Sequence, residues 1–140
     1  MLRLSKLADY AFVILAQMTR EPEDNWSASS LAQVTTLPLP TVAKLMKLLA
    51  RGGIVKASRG ASGGYRLAKP APDISITAII ETVDGPIQLT ECAGKATGKE
   101  CDCAVHNDCP VRTSWARLNT AVRDSLSDIS LSDITVLETS

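Results

Sequence analysis

The sequence predicts a mainly α fold that carries one small β-hairpin and ends in a long helix. Three observations predict it. Apolar residues recur at three- and four-residue spacing in several separate windows. Two short strand-like runs flank the Gly-rich stretch Arg59-Gly60-Ala61-Ser62-Gly63-Gly64. The stripe Val111, Trp115, Leu118, Val122, Leu126 has no evident partner inside so small a chain. With 140 residues, 45% of them apolar, the chain can bury a core, and wholesale disorder is excluded. Five aromatic residues make that core aliphatic.

Leu4, Leu7, Ala11, Ile14, Leu15 and Met18 predict an amphipathic helix over about residues 3 to 20. Glu21 to Asn25 breaks it. Ser27 is a good N-cap for a second helix through about Val34, with Leu31 inward. Thr35 to Pro40 is expected as a turn, because its two prolines oppose a continuous helix. A third helix follows, burying Val42, Leu45, Met46 and Leu49. Its outer side carries Thr41, Lys44, Lys47 and Arg51, and Gly52-Gly53 ends it. Runs 54–58 and 65–68 form the hairpin. Ser75 caps a fourth helix with Ile76, Ile79, Ile80 and Val83 as its stripe, ending at Asp84-Gly85-Pro86. Pro110 is placed in the first turn of the long helix, and Ser130 caps a last short one.

Helix, helix, turn, helix, hairpin is the order of a winged helix-turn-helix. The division expected is a DNA-binding region over 1–72 and a second region over 73–135. The second holds a helix, a cysteine loop (86–110) and a dimerisation helix (110–128), before a frayed tail at 136–140. The long stripe suits a seam between two copies; the alternative is that it folds back on its own chain.

Net charge is zero, yet charge is strongly segregated. No Asp or Glu occurs between Asn25 and Pro72, where Lys44, Lys47, Arg51, Lys56, Arg59, Arg66 and Lys69 all lie. From Asp73 onward, eleven acidic residues face five basic ones. One-sided basic charge is the footprint of nucleic-acid binding, whereas a charge excess alone also describes a solvated face. In the winged arrangement the third helix enters a major groove, with Thr41, Lys44 and Lys47 as groove-facing candidates and Arg51 beside them. Ser58, Arg59 and Gly63 of the hairpin are the candidate wing contacts, to phosphate or a minor groove.

All four cysteines, Cys92, Cys101, Cys103 and Cys109, lie within one stretch. Thiolates are soft ligands suited to iron–sulfur clusters and zinc. The gaps are ten residues between Cys92 and Cys103 and five between Cys103 and Cys109, unlike the paired spacing of a zinc ribbon. His106, the sole histidine, lies inside the loop and is either a ligand or a solvated side chain. One histidine, no nucleophilic triad and no phosphate-cradling loop leave no catalytic constellation, so an enzyme is not expected. The sequence shows no bilayer-spanning run and no signal peptide, so a cytoplasmic location away from membranes is expected.

Three blocks resemble one known family. They are Arg3-Leu4-Ser5-Lys6 with Asp9-Tyr10-Ala11; Gly53 to Gly60 with Gly63 to Ala68; and the cysteine loop followed by Trp115 and a long helix. Together they are similar to the IscR/NsrR-type winged-helix regulators, which sense through iron–sulfur clusters. The string Cys101 to Arg112 looks like the branch that regulates SUF-system cluster assembly. The resemblance implies a homodimer, a palindromic operator, repression of cluster-assembly genes, and an iron–sulfur cluster, 2Fe-2S rather than 4Fe-4S. It places three ligands at Cys92, Cys103 and Cys109. The fourth departs from the IscR pattern, since Arg112 stands where IscR-like members have a histidine. Asp9, which matches an NsrR-like ligand from the other subunit, Cys101 and His106 are the candidates. Ala43 replaces an acidic residue of the IscR recognition helix, which alters the expected operator. The alternatives are a nitric-oxide or redox sensor of the same fold, an iron–sulfur electron carrier, and a zinc-stabilised DNA-binding protein.

Overall fold

In the computed structural model, residues 3–61, 63–90 and 108–137 are described, Val136 and Leu137 by backbone alone. The candidate ligands Cys92, Cys101, Cys103 and His106, and the end of the expected tail, lie outside the described residues.

Helix α1 spans Lys6–Arg20. Ser5 is its N-cap, in extended conformation, and Ala8 N–H donates to Ser5 Oγ at 3.0 Å. The cap starts the helix three residues later than the apolar pattern predicts. Leu4 therefore stays outside the helix and 46% exposed instead of joining the stripe. Ala8, Ala11, Ile14, Leu15 and Met18 form the buried face.

Helix α2 spans Ala28–Thr35 under a reciprocal cap. Ser30 N–H donates to Ser27 Oγ at 3.0 Å, and Ser27 N–H donates to Ser30 Oγ at 3.1 Å. Thr36, at φ 59°, ends it. Helix α3 spans Leu39–Arg51 and thus begins before Pro40, not after it. Pro38 is the N-cap and Pro40 lies in the first turn, where a missing N–H has no intrahelical partner to lose. The turn expected to reach Pro40 is correspondingly shorter. Val42, Leu45, Met46 and Leu49 are buried as the pattern predicts.

Ile54 N–H donates to Leu49 C=O at 2.9 Å and turns the chain into strand β1 (Val55–Ser58). It pairs antiparallel with β2 (Gly64–Leu67), in the register Val55 to Leu67 and Lys56 to Arg66. Trp26 adds a one-residue bridge to β2. Its N–H donates to Tyr65 C=O at 2.8 Å, and Tyr65 N–H donates to Trp26 C=O at 2.7 Å. This tether between the hairpin and the α1–α2 connection has no signal in the sequence.

After a short 3₁₀ turn at Ala71–Asp73, Ser75 caps α4 (Ile76–Asp84). Gly85 ends that helix at φ 86°, a left-handed conformation that glycine adopts without strain. The long helix α5 spans Arg112–Ser127, with Val111 at its cap position, so Pro110 precedes the helix instead of occupying its first turn. Helix α6 spans Leu131–Leu137; Ser130 N–H donates to the Asp133 carboxylate and Asp133 N–H to Ser130 Oγ.

One aliphatic core joins α1, α2, α3, β1 and α4, and Leu131 of α6 is fully buried in it. Each such side chain contributes about 1.5–3 kcal/mol through burial. Helix α5 is different: Asn119 is its only buried residue. It packs on α4, where Thr77 O–H donates to Arg123 C=O at 3.0 Å and Arg123 pairs with Glu81 at 2.6 Å. The Glu81 carboxylate raises the Arg123 pKa further above its ordinary value. The apolar stripe of α5 is split. Val122 and Leu126 line an apolar pocket with Leu4, Ile80 and Ile87, whereas Val111, Trp115 and Leu118 are exposed. Among the described residues, no helix is long and apolar enough to cross a membrane.

Candidate nucleic-acid interface and metal centre

The basic stretch of the chain is a basic surface. Lys44, Lys47 and Arg51 of α3 are exposed, as are Lys56, Arg59, Arg66 and Lys69 in and beside the hairpin. The α3 side chains stand opposite its buried Val42–Leu45–Met46–Leu49 face, so the core fixes which side of the helix is offered to solvent. Thr41 is half-buried at the start of that side. In the hairpin, Val55 is buried while Lys56 and Arg66 are exposed.

The register brings out a pair that the sequence reading missed. Lys56 and Arg66 lie directly opposite each other across the hairpin. Like charges in directly opposed positions cost stability, and an anion between or beside them removes that cost. Both belong to the basic run, and only the strand register, which sequence periodicity leaves loose, makes them neighbours.

At the wing tip Ser58 and Arg59 are exposed and Gly63 is half-buried. Gly63 N–H closes the turn on Gly60 C=O at 2.9 Å. A Cβ on Gly63 would lie 2.4 Å from Ser58 O and 2.8 Å from the Arg59 carbonyl carbon, so only glycine fits this turn. The turn in this form presents Ser58 and Arg59 to solvent.

The second site is incomplete within the described residues. Cys109 is half-buried, in no disulfide, and precedes α5 by three residues. Its thiol is a chemically suitable soft ligand, and the N-terminus of a helix favours anionic groups nearby. The donor set of the chain, four cysteines in eighteen residues, fits an iron–sulfur cluster. Asp9 is exposed in the first turn of α1, where it borders a groove with Phe12, Val13, Arg20 and Ile134. Among the described residues no three His, Cys, Asp or Glu side chains converge on a metal position. Arg112 is exposed at the first position of α5.

Two polar anchors flank this region. The carboxylate of Asp84, the last residue of α4, accepts the O–H of Ser5 and, at 3.2 Å, its N–H. The side chain of Asn119 holds Ile87 and Leu89.

Comparison with known proteins bears on both halves. The family model described as "Rrf2: Iron-dependent Transcriptional regulator" matches residues 4–136. The HTH-type transcriptional regulator IscR of Vibrio atlanticus is 33% identical over 98 residues, covering 70% of this chain and 54% of that protein. The chain therefore spans about half the length of that relative. IscR of Photobacterium profundum is 28% identical over 134 residues, 95% of this chain and 75% of that protein. Among solved structures, CymR, the global cysteine regulator of B. subtilis, superposes with a TM-score of 0.71. It is 28% identical, with 98% of each chain covered.

Proposed function

Since this chain belongs to the Rrf2 family of transcriptional regulators and is no enzyme, we propose that it is a dimeric repressor that reads iron–sulfur cluster status and controls cluster-assembly genes. The observation that carries the DNA-binding half is the exposure of Lys44, Lys47, Arg51, Lys56, Arg59, Arg66 and Lys69 on and beside one helix and one hairpin. In this reading Thr41, Lys44 and Lys47 meet base edges, and Arg51 lies at the far end of the same helix. Ser58, Arg59 and the close-turning Gly63 bring the wing to the backbone of double-stranded DNA. Lys56 and Arg66 add paired phosphate contacts. Exposed Val111, Trp115 and Leu118 suit a seam with a second copy, which would place two α3 helices on a palindromic operator.

Cys92, Cys103 and Cys109 hold the cluster in this reading, with Cys101, Asp9 or His106 as the fourth ligand. The cluster, 2Fe-2S in preference to 4Fe-4S, supplies a redox-labile centre. The chain's own part is mechanical. The loop leaves α4 and enters α5, so its state bears on how α5, and with it the second copy, sits against the DNA-binding unit. A second reading, a nitric-oxide or redox sensor of the same fold, is favoured by the exposure of Asp9 in the first turn of α1. Operator binding by anaerobically purified protein, with its visible absorption, tests the proposal. Coloured protein that binds its own promoter region with steep salt dependence supports it; colourless protein holding stoichiometric zinc removes the cluster.

A further inference from the structure

Asn119 is the one buried residue of α5, at 5% exposure, and it is polar. Its Nδ2–H donates to Ile87 C=O at 2.9 Å, and Leu89 N–H donates to its Oδ1 at 2.8 Å. One amide thus makes the two hydrogen bonds that a neighbouring strand would make to alternate residues of a segment. A buried amide is costly unless satisfied, and here both its groups and both backbone groups are satisfied at once. An aliphatic residue at this place would leave the Ile87 carbonyl and Leu89 N–H without that partner.

The segment so held is the lead from α4 towards the cysteine loop. At its start, Asp84 takes both hydrogens of Ser5, the N-cap of α1. Gly85 follows at positive φ, the chain bends at Pro86, and Asn119 fixes it at Ile87 and Leu89. The lead is therefore tied at one end to the first helix of the DNA-binding unit and at the other to the long helix. Any displacement of α5 relative to α1 must carry the lead along, or break one tie.

We propose that Asn119 is a positioning residue: it fixes the lead into the cysteine loop and, through Asp84 and Ser5, transmits the loop's state to α1. The coupling rests on the cluster-sensing reading above; the anchor itself does not.

The test uses the full chain with three variants. Asn119→Ala removes both bonds. Asn119→Asp keeps the acceptor for Leu89 N–H and removes the donor to Ile87. Thr77→Val is the control, since Thr77 also joins α4 to α5, through Arg123, yet does not touch the lead. The first readout is hydrogen exchange of the Leu89 amide. It should quicken about tenfold or more in Asn119→Ala, less in Asn119→Asp, and stay unchanged in Thr77→Val. The second is the ratio of promoter-DNA affinities between cluster-loaded and cluster-free protein. It should shrink several-fold in Asn119→Ala, with a shifted visible circular dichroism signature, and hold in Thr77→Val. Unchanged Leu89 exchange in Asn119→Ala overturns the anchor. An unchanged affinity ratio, or an equal loss in Thr77→Val, overturns the coupling. A wild-type chain that takes up no cluster overturns the sensing reading and the coupling with it, while Leu89 exchange still decides the anchor.

Discussion

Lys56 and Arg66 face each other across the two strands of the hairpin, both exposed, in a stretch of sequence that holds no acidic residue. This arrangement makes sense if an anion sits there. Replacing either residue by Ala should weaken binding to any duplex DNA and lower the slope of log affinity against log salt by about one. The same change should leave thermal stability equal or slightly higher, because it relieves a like-charge opposition. Fluorescence anisotropy over a salt series, with a melting curve, measures both.

Gly63 allows no side chain, because a Cβ would meet the backbone of Ser58 and Arg59. Gly63→Ala should distort the wing tip and cost on the order of 1 kcal/mol or more in stability. DNA affinity should fall further than that of Ala61→Gly, which alters an exposed neighbour in the same turn. Paired melting curves and anisotropy titrations separate the two effects.

Leu131 is fully buried although it lies beyond the long helix. Leu131→Ala should destabilise the chain by about 2–5 kcal/mol. Val111→Ala, at an exposed site, should change the stability of the monomeric unit by less than about 1 kcal/mol. Denaturant unfolding checks the difference.

Trp115 and Leu118 are 37% and 50% exposed on α5, a large apolar surface for a helix with one buried residue. Leu118→Glu should give a folded monomer by analytical ultracentrifugation, with operator affinity reduced by two orders of magnitude or so as two half-sites become one. A dimer that survives both Leu118→Glu and Trp115→Ala places the seam elsewhere.

The first four helices were legible because their caps and apolar periods agree. Ser27 and Ser75 cap where expected, and the buried face of α3 is the predicted one. Boundaries moved where a local hydrogen bond outweighed the pattern. Ser5 delays α1, and Pro40 is tolerated inside the first turn of α3 because no donor is needed there. The sequence predicts one apolar stripe along α5; Leu126 packs against the core and Val122 is half-buried, whereas Val111, Trp115 and Leu118 are exposed, since periodicity does not say what covers a face. The Lys56–Arg66 pair, the Trp26–Tyr65 bridge and the Asn119 anchor depend on tertiary register, and none leaves a periodic trace in the sequence. The candidate metal centre was legible only as a donor set: of the four cysteines, Cys109 alone falls among the described residues.

In the proposed function, cysteine-loop chemistry governs DNA binding. Anaerobic titration of a promoter duplex with cluster-loaded and cluster-free protein at one fixed salt concentration, alongside Cys109→Ala, decides it. Visible absorption is expected in the loaded wild type, with its loss in Cys109→Ala and promoter affinities that differ at least several-fold between the two wild-type states. Equal affinities in the two states, or a wild-type protein that binds DNA but never takes up colour, would contradict it.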